Sequence, residues 1–116
     1  MLSEDKIQEI LSGHERRNEA LIEDLARKSI DVNHVHDVEH HFWSPTHGNA
    51  VGLAHELYRS GYLVLKIAPV QGGKLWNVEG GIKRSLIQAA SQDVTEELAR
   101  LAARFDSTYD GWGASV

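Results

Sequence analysis

Apolar residues recur every three or four positions in three stretches of the chain, which is the spacing of one helix face. The first stretch covers residues 3–29 and the second covers residues 50–58. Gly61 follows the second stretch at the place where a left-handed helix end favours glycine. The third stretch covers residues 91–105. We therefore predict three helices. The first of them either covers a face of the core or projects to bind a partner.

The apolar residues between these stretches alternate with polar ones or form short runs, as is typical of β-strands. The predicted strands cover residues 35–44, 62–68, 75–79 and 107–112. A tight turn at residues 71–74 joins the second and third strands into a hairpin. This order of elements favours a ferredoxin-like α+β sandwich, with a four-stranded antiparallel sheet and an additional N-terminal helix. In that fold the last strand pairs with the first.

A chain of 116 residues has the length of one domain. We expect a single domain over residues 1–116, with the N-terminal helix in residues 1–30 and the ferredoxin-like core in residues 31–113. The opening sequence MLSEDKIQEI lacks the basic and apolar regions of a secretory signal, and no apolar run approaches the roughly 18 to 20 residues of a membrane span. We expect a soluble, cytoplasmic protein with no membrane association.

The charge balance favours a protein partner over a nucleic acid. Twelve Lys and Arg residues stand against 17 Asp and Glu, which gives a net charge of −5. Proteins that bind phosphate backbones usually carry a basic footprint. RNA-recognition sheets also present aromatic residues in basic surroundings, whereas Trp76 is accompanied here by Glu79. Direct nucleic-acid binding is therefore not expected, and the absence of cysteine excludes disulfides and thiolate metal sites.

Six of the seven histidines lie between His34 and His55. Alternate residues of a strand share a face, so His34, His36 and His40 could together hold a zinc or copper ion. The alternative is a set of surface and packed histidines. Glu39 beside His40 could also form an acid–base pair, but no recognised nucleophile or oxyanion site accompanies it. We expect no cofactor, no catalytic residues and no enzyme, and keep metal binding as the alternative function.

Three segments together resemble the regulator of ribonuclease activity B family, the ribonuclease E inhibitors. They are VEHHF at residues 38–42, RSGY at residues 59–62 and, most specifically, FDSTYDGWG at residues 105–113. The resemblance runs from about residue 6 to residue 113. It implies a cytoplasmic, non-enzymatic α+β domain that binds ribonuclease E or the RNA degradosome and lowers RNA cleavage. Well-known members are more acidic and carry an acidic extension after the last segment, so weaker electrostatic steering is expected here.

The hypothetical partner-binding surface combines the solvent side of the first strand with the last strand. Its members are Asp37, Glu39, His41, Asp110 and Trp112. The carboxylates would meet Arg or Lys of the partner, and Trp112 would be the anchor because tryptophan often dominates interface energetics. The alternative is a local hydrogen-bonded cluster that ties the last strand to the first. Self-association of the chain is left open.

Overall fold

The chain folds around one sheet, described by a computed structural model for residues 3–70 and 72–115. The helices are α1 (Glu4–Arg27), α2 (His47–Arg59), α3 (Leu86–Ala89) and α4 (Gln92–Ala103), and the strands are β1 (Val35–Ser44), β2 (Leu63–Pro69), β3 (Trp76–Ser85) and β4 (Thr108–Ser115). The predicted α+β class and order of elements are confirmed. The one-turn helix α3 was not predicted. None of the described helices is long and apolar enough to cross a membrane.

The sheet has the order β2-β3-β1-β4, and each neighbouring pair is antiparallel. This is the strand order of the predicted ferredoxin-like sandwich. The central strand β1 pairs with β3 along its whole length and with β4 on its other side. The last strand therefore lies beside the first, as the fold prediction requires.

Local side-chain chemistry explains where the helices begin and end. Ser3 accepts a hydrogen bond from the backbone N–H of Lys6 and so caps α1. Ser85 and Gln88 form a reciprocal capping box, which starts α3 immediately after β3. Gly61 has φ +96° and follows α2 where a left-handed residue is needed. Of the predicted turn at residues 71–74, Gln71 lies outside the described residues.

The strand β3 is longer than predicted because it continues through two glycines. Gly80 and Gly81 lie inside it and pair with both β1 and β2. A Cβ atom added at Gly81 would lie 2.8 Å from Cδ1 of Leu65. Glycine is needed here because the side chain from the neighbouring strand lies directly on the backbone. Gly81 thus marks a close approach, and neither glycine marks a strand end.

All the described helices contribute to a core on one side of the sheet. Phe42, Val78 and Tyr109 from the strands are buried with Leu53 and Leu98 from the helices. A second apolar cluster joins α1 to the sheet through the following residues: Leu21, Ile22, Leu25, Val38, Leu86 and Trp112. The N-terminal helix therefore packs on the helical side of the molecule and does not project. No helix within residues 3–70 and 72–115 covers the opposite side of the sheet.

Candidate functional site

The sheet surface opposite the helices is the candidate site, and we call it the open face. Alternation along β1 directs Asp37, Glu39 and His41 to this face, while the residues between them are directed to the core. The pairing of the strands extends the same face across its neighbours. The open face includes Asp37, Glu39, His41, Leu63, Leu65, Glu79, Gly81, Lys83 and Gly113.

An imidazole lies between two carboxylates at the centre of the open face. Nδ1 of His41 is 3.2 Å from Oε1 of Glu79, and Nε2 of His41 is 3.6 Å from Oε1 of Glu39. The 3.6 Å separation between His41 and Glu39 is longer than a hydrogen bond. The Glu39 carboxylate is therefore left to accept a hydrogen bond from an incoming cation.

Beside this group the open face contains a shallow depression of about 240 Å³. Leu63 and Leu65 line it and are 67% and 51% exposed, which is unusual for two leucines on one surface. On the other side Asp37 forms an ion pair of 3.1 Å with Lys83. An apolar floor with a polar rim is the composition of a protein interface. The depression is lined by Glu39 but not by His40.

The five residues of the predicted surface do not share one face. Asp37, Glu39 and His41 lie on the open face, but Trp112 pairs with His40 and is directed to the helices. Its side chain is only 8% exposed. Its Nε1 donates to Oδ1 of an α1 residue, Asn18, at 2.9 Å. The structure thus encloses the side chain of Trp112 under α1 and away from the open face, and its role as an anchor stays a prediction.

Asp110 lies at an irregularity in the edge strand β4. His41 pairs with Gly111 and the next residue of β1 pairs with Tyr109, so Asp110 is the extra residue of a β-bulge. Gly111 has φ +116°, a conformation that glycine adopts readily. Asp110 is exposed. It lies at the edge of the sheet beside the His41 position, near the open face but displaced by the bulge.

His40 belongs to a buried hydrogen-bond network and not to the open face. Arg84 donates to Nε2 of His40 at 3.4 Å and to the hydroxyl of Tyr62 at 3.2 Å. Since arginine only donates, Nε2 must be the acceptor, and the Nδ1–H of His40 donates to the hydroxyl of Tyr109 at 2.7 Å. Burial, followed by the nearby Arg84 charge, lowers the pKa of His40 to about 3.

The burial of His40 separates it from Glu39, the other member of the acid–base pair suggested by the sequence. Glu39 and His40 are adjacent along β1, so their side chains are directed to opposite faces of the sheet. His40 is 0% exposed, and both of its ring nitrogens are engaged. The pair does not meet around a common substrate position.

The three histidines of the alternative metal site do not converge. Nε2 of His36 donates to the backbone carbonyl of Asp31 at 3.0 Å. The rings of His34 and His36 meet edge to face with centroids 5.7 Å apart, while His40 is enclosed in the core. Within residues 3–70 and 72–115, no group of three His, Cys, Asp or Glu residues could hold a metal ion.

Sequence reasoning missed several residues of the open face. The sequence predicts a strand at Leu63 and Leu65 but no surface role for them, and it indicates Glu79 only as a residue unsuited to RNA binding. The spacing of the two leucines, at alternate positions of a strand that directly follows a helix, was the signal that could have placed them on one side of the sheet. It did not show that this side is the open face, because a bulge between Val64 and Lys66 changes the register of β2.

The chain is similar to proteins of one known family. A family model described as Regulator of ribonuclease activity B matches residues 15–114. The Regulator of ribonuclease activity B of Photobacterium profundum is 27% identical over 111 residues, covering 90% of this chain and 82% of that protein. Its counterpart in Pseudoalteromonas translucida is 26% identical over 99 residues, covering 83% of this chain and 89% of that protein.

Proposed function

The chain belongs to the regulator of ribonuclease activity B family, and we propose that it regulates RNA turnover by binding a ribonuclease. The proposed partner is ribonuclease E or a component of the RNA degradosome. The proposed effect is lower cleavage of RNA, and the proposed contact surface is the open face. The protein acts by occupying its partner, with no chemistry of its own.

The open face carries this proposal because no described helix covers it. Leu63 and Leu65 together expose apolar surface that would be buried in an ordinary core, and apolar patches rimmed by polar groups mark sites of protein association. The glycines opposite Glu39 on both neighbouring strands, Gly81 and Gly113, leave room for the side chains of Leu65 and Glu39 to lie close against the sheet. The centre of the face is therefore low, and a partner would contact these two side chains.

The chemistry of the open face suits an arginine or lysine next to an apolar residue. The apolar side chain would enter the depression beside Leu65, and the cation would bind Glu39 or Glu79. The cation would replace the present contact of that carboxylate with His41, which costs little because surface ion pairs are weak. Asp37 is already paired with Lys83 and contributes mainly to the rim.

The test is a titration of the purified protein against ribonuclease E from the same organism, with binding and RNA cleavage measured in parallel. Saturable binding together with slower cleavage is the expected result. The same titration against the assembled degradosome distinguishes contact with the nuclease from contact with another component. Failure to bind either at low salt would refute the proposed function.

Two variants locate the contact surface. Glu39→Lys reverses a central charge, and Leu65→Ser removes apolar area. Each should weaken binding by roughly tenfold or more, which corresponds to about 1.4 kcal/mol. The matched control is Glu23→Lys, which makes the same charge change at an exposed position of α1. Equal weakening by Glu39→Lys and Glu23→Lys would show that only net charge matters and that the open face is not the site.

A further inference from the structure

A second surface lies between α1 and the segment that joins α3 to α4, and we call it the α1 groove. It comprises two adjoining depressions of about 280 and 30 Å³. Ile22, Ile87 and Ala90 line its apolar part, and Glu15 and Glu19 line it from α1. Ile87 is 43% exposed, so a bulky apolar side chain is accessible from solvent. The α1 groove shares no residue with the open face.

The groove is held in shape by a buried asparagine. Nδ2 of Asn18 donates to the carbonyl of Ala90 at 3.4 Å and to Oγ1 of Thr95 at 3.3 Å. Oδ1 of the same residue accepts from Nε1 of Trp112. These bonds fix α1 against both α4 and the sheet. A ligand would therefore meet a formed groove and would not need to spend binding energy on reorganising it.

The charges of the groove all have one sign. Glu15 and Glu19 are one helical turn apart, and like charges at that spacing destabilise a helix. Both side chains are exposed. Neither forms an ion pair with any other residue that the structure describes, and the described lining contains no lysine or arginine. The fold thus presents two uncompensated carboxylates beside an apolar wall.

We propose that the α1 groove binds a cationic amphipathic segment of a partner protein. An aliphatic side chain of the segment packs against Ile22 and Ile87, and a lysine or arginine reaches Glu15 and Glu19. A nucleic acid is excluded as the occupant because its phosphates would approach the two carboxylates. The inference goes beyond the proposed function, since it concerns a different surface and does not require the partner to be a ribonuclease.

The probe for this proposal is a synthetic amphipathic peptide with leucines on one face and lysines and arginines on the other. Amide chemical shifts of the isotope-labelled protein are followed during the titration. We expect saturable shifts in α1 and in the α3–α4 segment, and none with a peptide whose basic residues are replaced by glutamate. The double variant Glu15→Gln with Glu19→Gln should raise Kd by roughly tenfold or more. Ile87→Ser should weaken binding as well, since it removes the apolar contact.

The matched control is Glu9→Gln with Glu97→Gln, which changes net charge by the same amount at two exposed positions outside the groove. It should leave Kd within about twofold. All these side chains are at least partly exposed, and circular dichroism verifies that each variant is folded. The proposal is overturned by the absence of saturable shifts, by equal weakening in the two double variants, or by shifts centred on the open face.

Discussion

Replacing His40 with glutamine should remove a large part of the protein's sensitivity to acid. His40 is fully buried, and its pKa falls from an ordinary 6.5 to about 3 because of burial and the adjacent Arg84. The folded state thus requires the neutral imidazole. This stabilisation is fully present above pH 6.5, where the unfolded chain is also neutral, and is lost as pH falls towards 3. The whole difference corresponds to roughly 4–5 kcal/mol at about 1.4 kcal/mol per pH unit.

Urea unfolding at a series of pH values measures this effect. Between pH 7 and pH 4.5 the linkage relation assigns a loss of roughly 2–3 kcal/mol to His40. His14, whose pKa is also lowered by burial, is present in both proteins, so its contribution cancels. As the pH falls from 7 to 4.5, the free energy of unfolding of the His40→Gln variant should therefore rise by that loss relative to the free energy of unfolding of the unaltered protein. Parallel curves for the two proteins, or an imidazole of His40 that titrates near pH 6 by NMR, would refute the reasoning.

Two further substitutions, with one control, test how the helices pack in the core. Trp112→Phe removes the N–H donor to Asn18 and leaves a buried oxygen unpaired, which should lower the free energy of unfolding by about 1–3 kcal/mol; a change below about 0.5 kcal/mol would contradict the assigned bond. Gly52→Ala places a Cβ 2.8 Å from the Phe105 ring and should destabilise by roughly 1–3 kcal/mol. Gly48→Ala meets nothing closer than 3.9 Å and should stabilise by up to about 1 kcal/mol. Equal effects of Gly52→Ala and Gly48→Ala on the free energy of unfolding in urea would contradict the contact between Gly52 and Phe105.

The architecture was predictable because each element is specified by residues close together in sequence. The alternating apolar residues of β1 and the cap at Gly61 define their elements without reference to the rest of the chain. The errors have two causes. The extension of β3 through Gly81 depends on Leu65 of β2, a contact between residues distant in sequence. The one-turn helix α3 is specified locally, by a capping box between Ser85 and Gln88, but apolar spacing does not report such a box.

The candidate site was less predictable because it depends on which face each side chain takes. Within β1 the strict alternation identified Asp37, Glu39 and His41 correctly as one face. Across to β4 the pattern did not show that Trp112 faces the helices, because the orientation of that strand is set by pairing and by the bulge at Asp110. A shift of one residue moves a side chain from solvent to core. Pairing between strands that are distant in sequence cannot be read from the pattern of either strand alone.

The alternation of side chains along the strands also explains why the residues that reveal the family are poor guides to the proposed binding surface. Tyr109 and Trp112 of the closing segment are buried, where they bond to His40 and Asn18. These residues specify the scaffold, since replacing any of them leaves a buried polar group unpaired. A partner contacts exposed side chains instead. If the open face is the contact surface, as proposed, the choice of partner should depend on exposed residues such as Leu65 and not on Tyr109 or Trp112.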